Sequence, residues 1–169
     1  GKTNIGSYGD FVVETDWVVG QVMKAVDDAK IKDNTLFLFP TDNGAAQFSR
    51  NTKGGKTHLS SGPYRGRKRD NWEGGHRVPF IARWPGVVEP NTVSSTVLCL
   101  TDLTRTLVAA AGGEITRHDV AEDSFSFLSA LKDNAPGTTI PGNLLRRETA
   151  VHHGSSGEFA IRMGDWVYL

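Results

Sequence analysis

Between Tyr8 and Lys30 the apolar residues recur at helical spacing. Phe11, Val12, Val18, Val19, Val22, Met23 and Val26 fall on one broad face, with polar residues opposite. Gly20 weakens this helix slightly and is read as a point of close packing. A turn at "IKDN" leads into "TLFLFP", a continuous apolar run from Thr35 to Pro40. Such a run predicts a strand covered on both faces, as in a parallel sheet flanked by helices. Pro40 cannot donate to a ladder and so marks the strand end. Residues 44–76 show no periodicity and are rich in Gly, Ser, Lys and Arg. Irregular stretches of that length within a compact domain are usually functional or disordered. "VPFIARW" predicts another strand, closed by Pro85-Gly86, and "VSSTVLCL" a short strand or an extended lead-in. "TDLTRTLVAAAGG" predicts a helix with Thr101 or Asp102 at its start and Gly112-Gly113 at its end. "EDSFSFLSALK" predicts a shorter helix capped by Asp123 or Ser124. After the turn-rich "NAPGTTIPGN", the segments "TAVHH", "EFAIRM" and "DWVYL" predict three antiparallel strands.

This order of elements predicts an α/β fold built on an open sheet. Ligands of such sheets sit just beyond the carboxyl ends of the strands. Asp42, Asn43 and Gly44 follow the first strand and so occupy that place. Asp42 offers a carboxylate and Asn43 an amide oxygen, both hard donors suited to Ca²⁺ or Mg²⁺. Gly44 lets the backbone turn sharply. Asp-Asn-Gly is also a good plain turn, and on these three residues both readings stand.

Composition narrows the classes. Hydrophobic residues are 38% and charged residues 22%, as in ordinary globular domains. Formal net charge is zero, so no overall field draws the chain to nucleic acid or an anionic membrane, and neither is expected as a partner. The dense basic run "RGRKR", Arg65 to Arg69, reads by itself as a solvated loop. The single cysteine, Cys99, excludes an internal disulfide and reads as an inert packed thiol. No apolar stretch approaches the ~20 residues of a membrane span.

Four stretches together are more specific. "YGDFVVETDWVVGQVMKAV", "DNTLFLFPTDNG", "GPYRGRKRDNWEGGHRVPFIARWPG" and "EFAIRMGDW" resemble, in order and spacing, the formylglycine-dependent sulfatases of the alkaline-phosphatase superfamily, in particular the arylsulfatase A-like branch. The resemblance implies the C-terminal part of an alkaline-phosphatase-like α/β/α sandwich over 1–145. The start of a small antiparallel β subdomain would follow over 146–169. It implies a sulfuric ester hydrolase in which Asp42 and Asn43 hold the active-site cation, Ca²⁺ or else Mg²⁺. Lys68 matches the family lysine that contacts the sulfate group. Charge gathers on the sulfate oxygens as the S–O bond breaks, and a cation and an ammonium beside them stabilise it. His58, on the same loop, matches a region where related chains carry a substrate-contacting histidine; an exposed loop histidine is the other reading. Glu73-Gly74-Gly75 and His76 read as structural, and His152-His153 as a packed or exposed pair rather than a metal site. The implied substrate is a sulfate ester, expected to be a sulfated carbohydrate. The family compartments are the periplasm or exterior of bacteria and the lysosome of animals. Oligomeric state is left open.

The chain also departs from the family pattern. The nucleophile motif Cys/Ser-x-Pro-Ser-Arg is absent, so formylglycine is expected in an N-terminal half outside this sequence, as is the aspartate pair that completes the metal site. "SGPYR" imitates the motif, but Tyr64 stands where it needs serine. The expectation is a C-terminal fragment, inactive alone and weak in calcium binding. Competing readings are a phosphatase or phosphodiesterase of the same superfamily, and a non-catalytic remnant binding sulfated glycans through Arg65, Arg67, Lys68 and Arg69. "KGGKTH" echoes the tail of a nucleotide-binding loop, but Arg50 replaces the required glycine.

Overall fold

A computed structural model describes residues 3–46, 49–51, 54–55, 57–132 and 147–169. The first helix, α1 (Ser7–Asp28), starts after Gly6 at φ 80 and ends before Lys30 at φ 58. Its half-covered stripe is Val19, Met23 and Val26, at i, i+4 and i+7. The rest of the expected apolar face stays open: Phe11 is 67% exposed and Trp17 62%. Gly20 packs against nothing within 4 Å, so the expected close approach there is not found.

Strand β1 (Phe37–Pro40) leads from α1 towards the site. Its sequence predicts a strand covered on both faces in a parallel sheet. The structure instead pairs it antiparallel with β4 (Phe80–Arg83), in the register Phe37↔Arg83 to Pro40↔Phe80, and leaves all its residues half-exposed. A continuous apolar run says that both faces are apolar, not which way the neighbouring strand runs. Residues 44–76, read as irregular, contain a hairpin of β2 (Ser49–Asn51) and β3 (Thr57–Leu59) and a single-turn helix α2 (Glu73–His76). These elements are too short to leave a period in the sequence. The "VSSTVLCL" segment forms no strand; residues 93–99 have no ladder partner among the described residues, and Leu100 begins a 3-10 turn.

A short 3-10 turn (Leu100–Asp102) enters α3 (Leu103–Ala110), which stops at Gly112, φ 79, as expected. Asp102, 1% exposed, is the hub of this half. Its carboxylate accepts the N–H groups of Cys99 at 2.8 Å and Phe125 at 2.9 Å. It also accepts Arg147 through Nε at 2.8 Å and Nη2 at 2.7 Å, a two-pronged ion pair. Thr106, fully buried, donates to the Asp102 carbonyl at 2.7 Å and accepts the Phe127 N–H at 3.0 Å. Ser124, expected to cap the next helix, instead accepts the Arg105 N–H of α3 at 3.1 Å. That helix, α4, runs only Leu128–Lys132. The local alternation of Ser and Phe looks helical, but the Ser124 hydroxyl accepts an N–H of α3, and the Phe125 and Phe127 N–H groups donate to Asp102 and Thr106. Cys99 is half-buried, and burial pushes its thiol pKa up, as suits an inert thiol.

The final strands form one antiparallel sheet, β5 (Thr149–His153), β6 (Phe159–Met163) and β7 (Trp166–Tyr168), as the sequence predicts. Buried apolar side chains among the described residues are Phe127, Leu131 and Ala160, with Phe80 of β4 edge-on to Phe127 at 5.5 Å. The boundary expected at 145/146 and the "NAPGTTIPGN" break lie outside the described residues.

Asp102→Ala would leave Arg147 uncompensated and two N–H groups without acceptors. Breaking one side of a buried pair costs about 3–5 kcal/mol. Denaturant unfolding of the intact protein should show a loss of that size; a loss below about 1 kcal/mol would contradict the hub assignment.

Candidate active site

The site is assembled by backbone meeting backbone. Thr41 leaves β1 with its N–H on the Pro79 carbonyl at 3.3 Å. Gly44 N–H then donates to the Gly75 carbonyl at 2.9 Å, and Lys68 N–H to the Ala45 carbonyl at 2.8 Å. Gly74 N–H donates to the Arg65 carbonyl at 2.7 Å. A Cβ on Gly44 would lie 1.8 Å from the Gly74 oxygen, one on Gly74 2.2 Å from the Gly66 oxygen, and one on Gly75 2.2 Å from the Asp70 oxygen. Gly44 is not in the left-handed region, so its role is close approach rather than the sharp turn the sequence suggested. Three segments, 42–45, 65–70 and 72–76, thus lock together only because their contact points carry no side chains.

This seam brings Asp42, Asn43 and Lys68 into one neighbourhood. Asp42 and Lys68 are exposed and Asn43 is half-buried. Among the described residues neither the Asp42 carboxylate nor the Lys68 ammonium has a hydrogen-bond or ion-pair partner. Asn43 Nδ2 donates to the Gly44 carbonyl at 3.0 Å, which leaves Oδ1 as a free acceptor. His58 sits exposed on β3, opposite Arg50 in register. No hydrogen bond joins its ring to the other three among the described residues. Ser61 of the motif-like "SGPYR" lies in a turn closed by Tyr64 N–H to its carbonyl at 3.2 Å. "KGGKTH" runs into β3 at Thr57 rather than into the helix a phosphate-binding loop needs, and its Lys53 and Lys56 lie outside the described residues.

The neighbourhood is also where polar groups go unsatisfied. Among the described residues, the buried side-chain atoms without partners are Thr41 Oγ1, Ser60 Oγ, Ser61 Oγ, Asn71 Oδ1 and His76 Nε2. All lie between residues 41 and 76. Orphaned buried polar atoms are rare and mark places where an ion, water or ligand belongs. Hard-oxygen chemistry at Thr41, Asp42 and Asn43 suits a cation such as Ca²⁺. No cluster of three or more His, Cys, Asp or Glu side chains that could hold a metal ion is present among the described residues. No helix among those residues is long and apolar enough to cross a membrane.

Comparison with known proteins gives this geometry a family. The Sulfatase family profile matches residues 2–113. The chain belongs to the sulfatase family. It is 31% identical over its whole length to N-acetylgalactosamine-6-O-sulfatase of Bacteroides thetaiotaomicron, covering 32% of that protein. It is 45% identical to steryl-sulfatase of Homo sapiens over 53% of this chain and 15% of that protein. A solved structure from work on the metabolism of multiple glycosaminoglycans by Bacteroides thetaiotaomicron superposes with a TM-score of 0.79 at 29% identity, covering 97% of this chain and 33% of that one. The fold is therefore alkaline-phosphatase-like α/β, as expected. The chain spans about a third of the length of the bacterial relative.

One feature of this sulfatase chain was not visible in the sequence: the C-terminal sheet braces the site loop. Asn71 Nδ2 donates to the Glu158 carbonyl at 2.8 Å, and Ser155 N–H to the Arg69 carbonyl at 3.0 Å. Arg162 of β6 pairs with Glu73 of α2. The His152 ring stacks on His76 with centroids 3.8 Å apart and places Nε2 3.3 Å from the Asn71 carbonyl oxygen. Residues 81 to 89 positions apart in sequence cannot announce such contacts by local pattern. Arg65 does not stay a solvated cation either; its guanidinium lies 3.5 Å from the centre of the Trp72 ring.

Gly44→Ala should cost the intact protein about 3 kcal/mol, because the Gly74 carbonyl has to move. Gly20→Ala, on open helix surface, should instead stabilise by about 0.5–1 kcal/mol. Thermal melting of the two variants checks both signs.

Acid should loosen the seam between α2 and β5. Burial first, and the neighbouring His152 second, hold His76 below its ordinary pKa of 6.5. Below that value the unfolded chain binds more protons than the folded one. Stability is therefore intact above 6.5 and is lost as pH falls from there through the lowered folded value. His76→Gln should flatten this acid slope in melting curves taken from about pH 7.5 to about pH 5. An unchanged slope would remove His76 as its source.

Proposed function

We propose that the protein carrying this chain hydrolyses sulfate esters, and that the chain supplies part of its cation site and sulfate contact. The observation that carries the reading is the 2.8 Å bond from Lys68 N–H to the Ala45 carbonyl. It ties the residue bearing the ammonium to the segment bearing the oxygen donors. Asp42, through its carboxylate, and Asn43, through Oδ1, would hold the cation, Ca²⁺ or else Mg²⁺. That cation supplies Lewis-acid stabilisation of the sulfate group. Lys68, its backbone held by the Ala45 carbonyl, presents its ammonium to the sulfate oxygens as charge develops on them. Asn43 is oriented by its bond to Gly44. His58 stands exposed on β3 as a substrate contact. The formylglycine nucleophile would come from outside this sequence.

A sulfated carbohydrate is the favoured substrate class. The relative matched along the whole chain is named for a sulfated amino sugar, whereas the steryl-sulfatase matches cover 53% to 68% of the chain. The open apolar surface of α1 and the two-donor cation site both support inactivity of the 169-residue chain by itself.

Turnover of an aryl sulfate and of a sulfated sugar by the intact protein tests this. Lys68→Ala and Asp42→Ala should each lower kcat/KM by about a hundredfold or more. Chelation of divalent cations should abolish turnover, and added Ca²⁺ should restore it. The chain alone should show no turnover above its own Lys68→Ala control. Full activity in Lys68→Ala, or a phosphate ester cleaved in preference, would overturn the reading.

A further inference from the structure

Beside the seam lies a groove of about 430 Å³ that the proposed chemistry does not use. It runs between Arg69, Asp70, Asn71 and Trp72 and the 154–158 turn linking β5 to β6, with Leu169 also on its wall. Of the four cations in the basic run, Arg69 alone lines it. Arg69 is also one of the few non-glycine residues in the left-handed region, at φ 86. That conformation is disfavoured for a side chain of this kind and is usually held by surrounding contacts at functional positions. Here Ser155 N–H donates to the Arg69 carbonyl at 3.0 Å, and a Cβ on Gly154 would come within 2.9 Å of that oxygen. The brace therefore grips the Arg69 backbone directly and fixes where its side chain leaves.

The charges in the groove are unequal in availability. Asp70 Oδ2 accepts the Arg67 N–H at 3.0 Å, and the Glu158 carboxylate accepts the Ser156 hydroxyl. Arg69 is exposed, and its guanidinium has no partner among the described residues. The groove thus offers one free cation, two carboxylates with spare lone pairs for hydroxyl donors, and Trp72, an aromatic ring that is 37% exposed. That set matches a sugar bearing one anionic group among hydroxyls. An apolar alcohol could lie on Trp72 and Leu169 but would leave Arg69 and both carboxylates unpaired.

We propose that Arg69 is a specificity-determining residue, binding an anionic group on the sugar next to the one that carries the scissile sulfate. Lys68 and Arg69 are consecutive, with Cα atoms about 3.8 Å apart, so one loop presents two cations to two neighbouring anions. This rests on the sulfate-ester reading above. The second anion is a uronate carboxylate or a second sulfate, two sources of the same chemistry.

The test uses the intact protein and two disaccharides that share a scissile sulfate ester. One carries a uronate and the other a second sulfate, and each is compared with its uncharged counterpart. Wild-type protein should show a KM about tenfold lower for at least one charged member than for its counterpart, the scale of one charge-assisted contact. Arg69→Gln should collapse that KM ratio towards one, with kcat affected far less than KM. Arg69→Gly should collapse it equally while raising the melting temperature, because glycine accepts the left-handed backbone. The second variant separates loss of the guanidinium from misfolding. Which pair shows the ratio identifies the anion. A ratio that survives both substitutions, or that is absent in wild type, overturns the Arg69 assignment while leaving the sulfatase reading intact. Failure of wild-type protein to cleave any of the sulfate esters overturns both.

Discussion

Everything at the site depends on main chain lying against main chain where Gly44, Gly66, Gly74 and Gly75 meet. At Gly44, Gly74 and Gly75, distances of 1.8–2.2 Å from a would-be Cβ to a carbonyl oxygen leave no room for even one methyl group. The carbonyls of Ala45, Arg65 and Gly75 find their donors across these contacts. An irregular loop buried in this way would otherwise strand its polar backbone. The proposed function rests on the same contacts. The oxygen donors at the end of β1 and the ammonium of Lys68 come from segments more than twenty residues apart, and only the seam joins them.

A seam made of a few hydrogen bonds needs support from outside, and two polar systems supply it. The C-terminal sheet holds the far side of the loop through Arg69, Asn71, Glu73 and His76. The start of that sheet is in turn tied to α3 by Arg147 and the buried Asp102. A chain of polar contacts therefore runs from the core of one half to the site of the other. Apolar burial contributes less among the described residues, where large groups such as Phe11, Trp17 and Ile81 remain open. This balance fits a chain that spans about a third of its bacterial relative. It also makes the site sensitive to charge, since burial and the neighbouring His152 hold the His76 pKa below its ordinary value.

The sequence was most legible where one residue type has one physical use. Helical spacing in α1, the Gly112 stop of α3 and the alternation of the last three strands all appeared where expected. Asp42 and Asn43 could be put forward as site candidates because they end an apolar run with two hard oxygen donors, and the structure places them beside the Lys68 backbone. Lys68 could be put forward only through the surrounding motif. Sheet direction was not legible, because β1 is apolar on both faces whichever way β4 runs. Ser124 was misassigned because a serine before a helical pattern caps whichever free N–H groups the tertiary fold brings to it. Gly44 was seen as a turn residue, since close approach depends on Gly74, thirty positions later. Arg69 looked like one more solvated cation until its backbone conformation and the groove beside it were known.

The account stands most directly on where a cation and a sulfate lie relative to the seam. A crystal structure of the intact protein with Ca²⁺ and an unreactive sulfate-ester analogue would settle it. The ion should sit on the carboxylate of Asp42 and Oδ1 of Asn43, with Lys68 Nζ within hydrogen-bond distance of a sulfate oxygen. An ion bound elsewhere, or Lys68 turned away from the sulfate, would contradict the claim that the glycine seam exists to bring these three residues together.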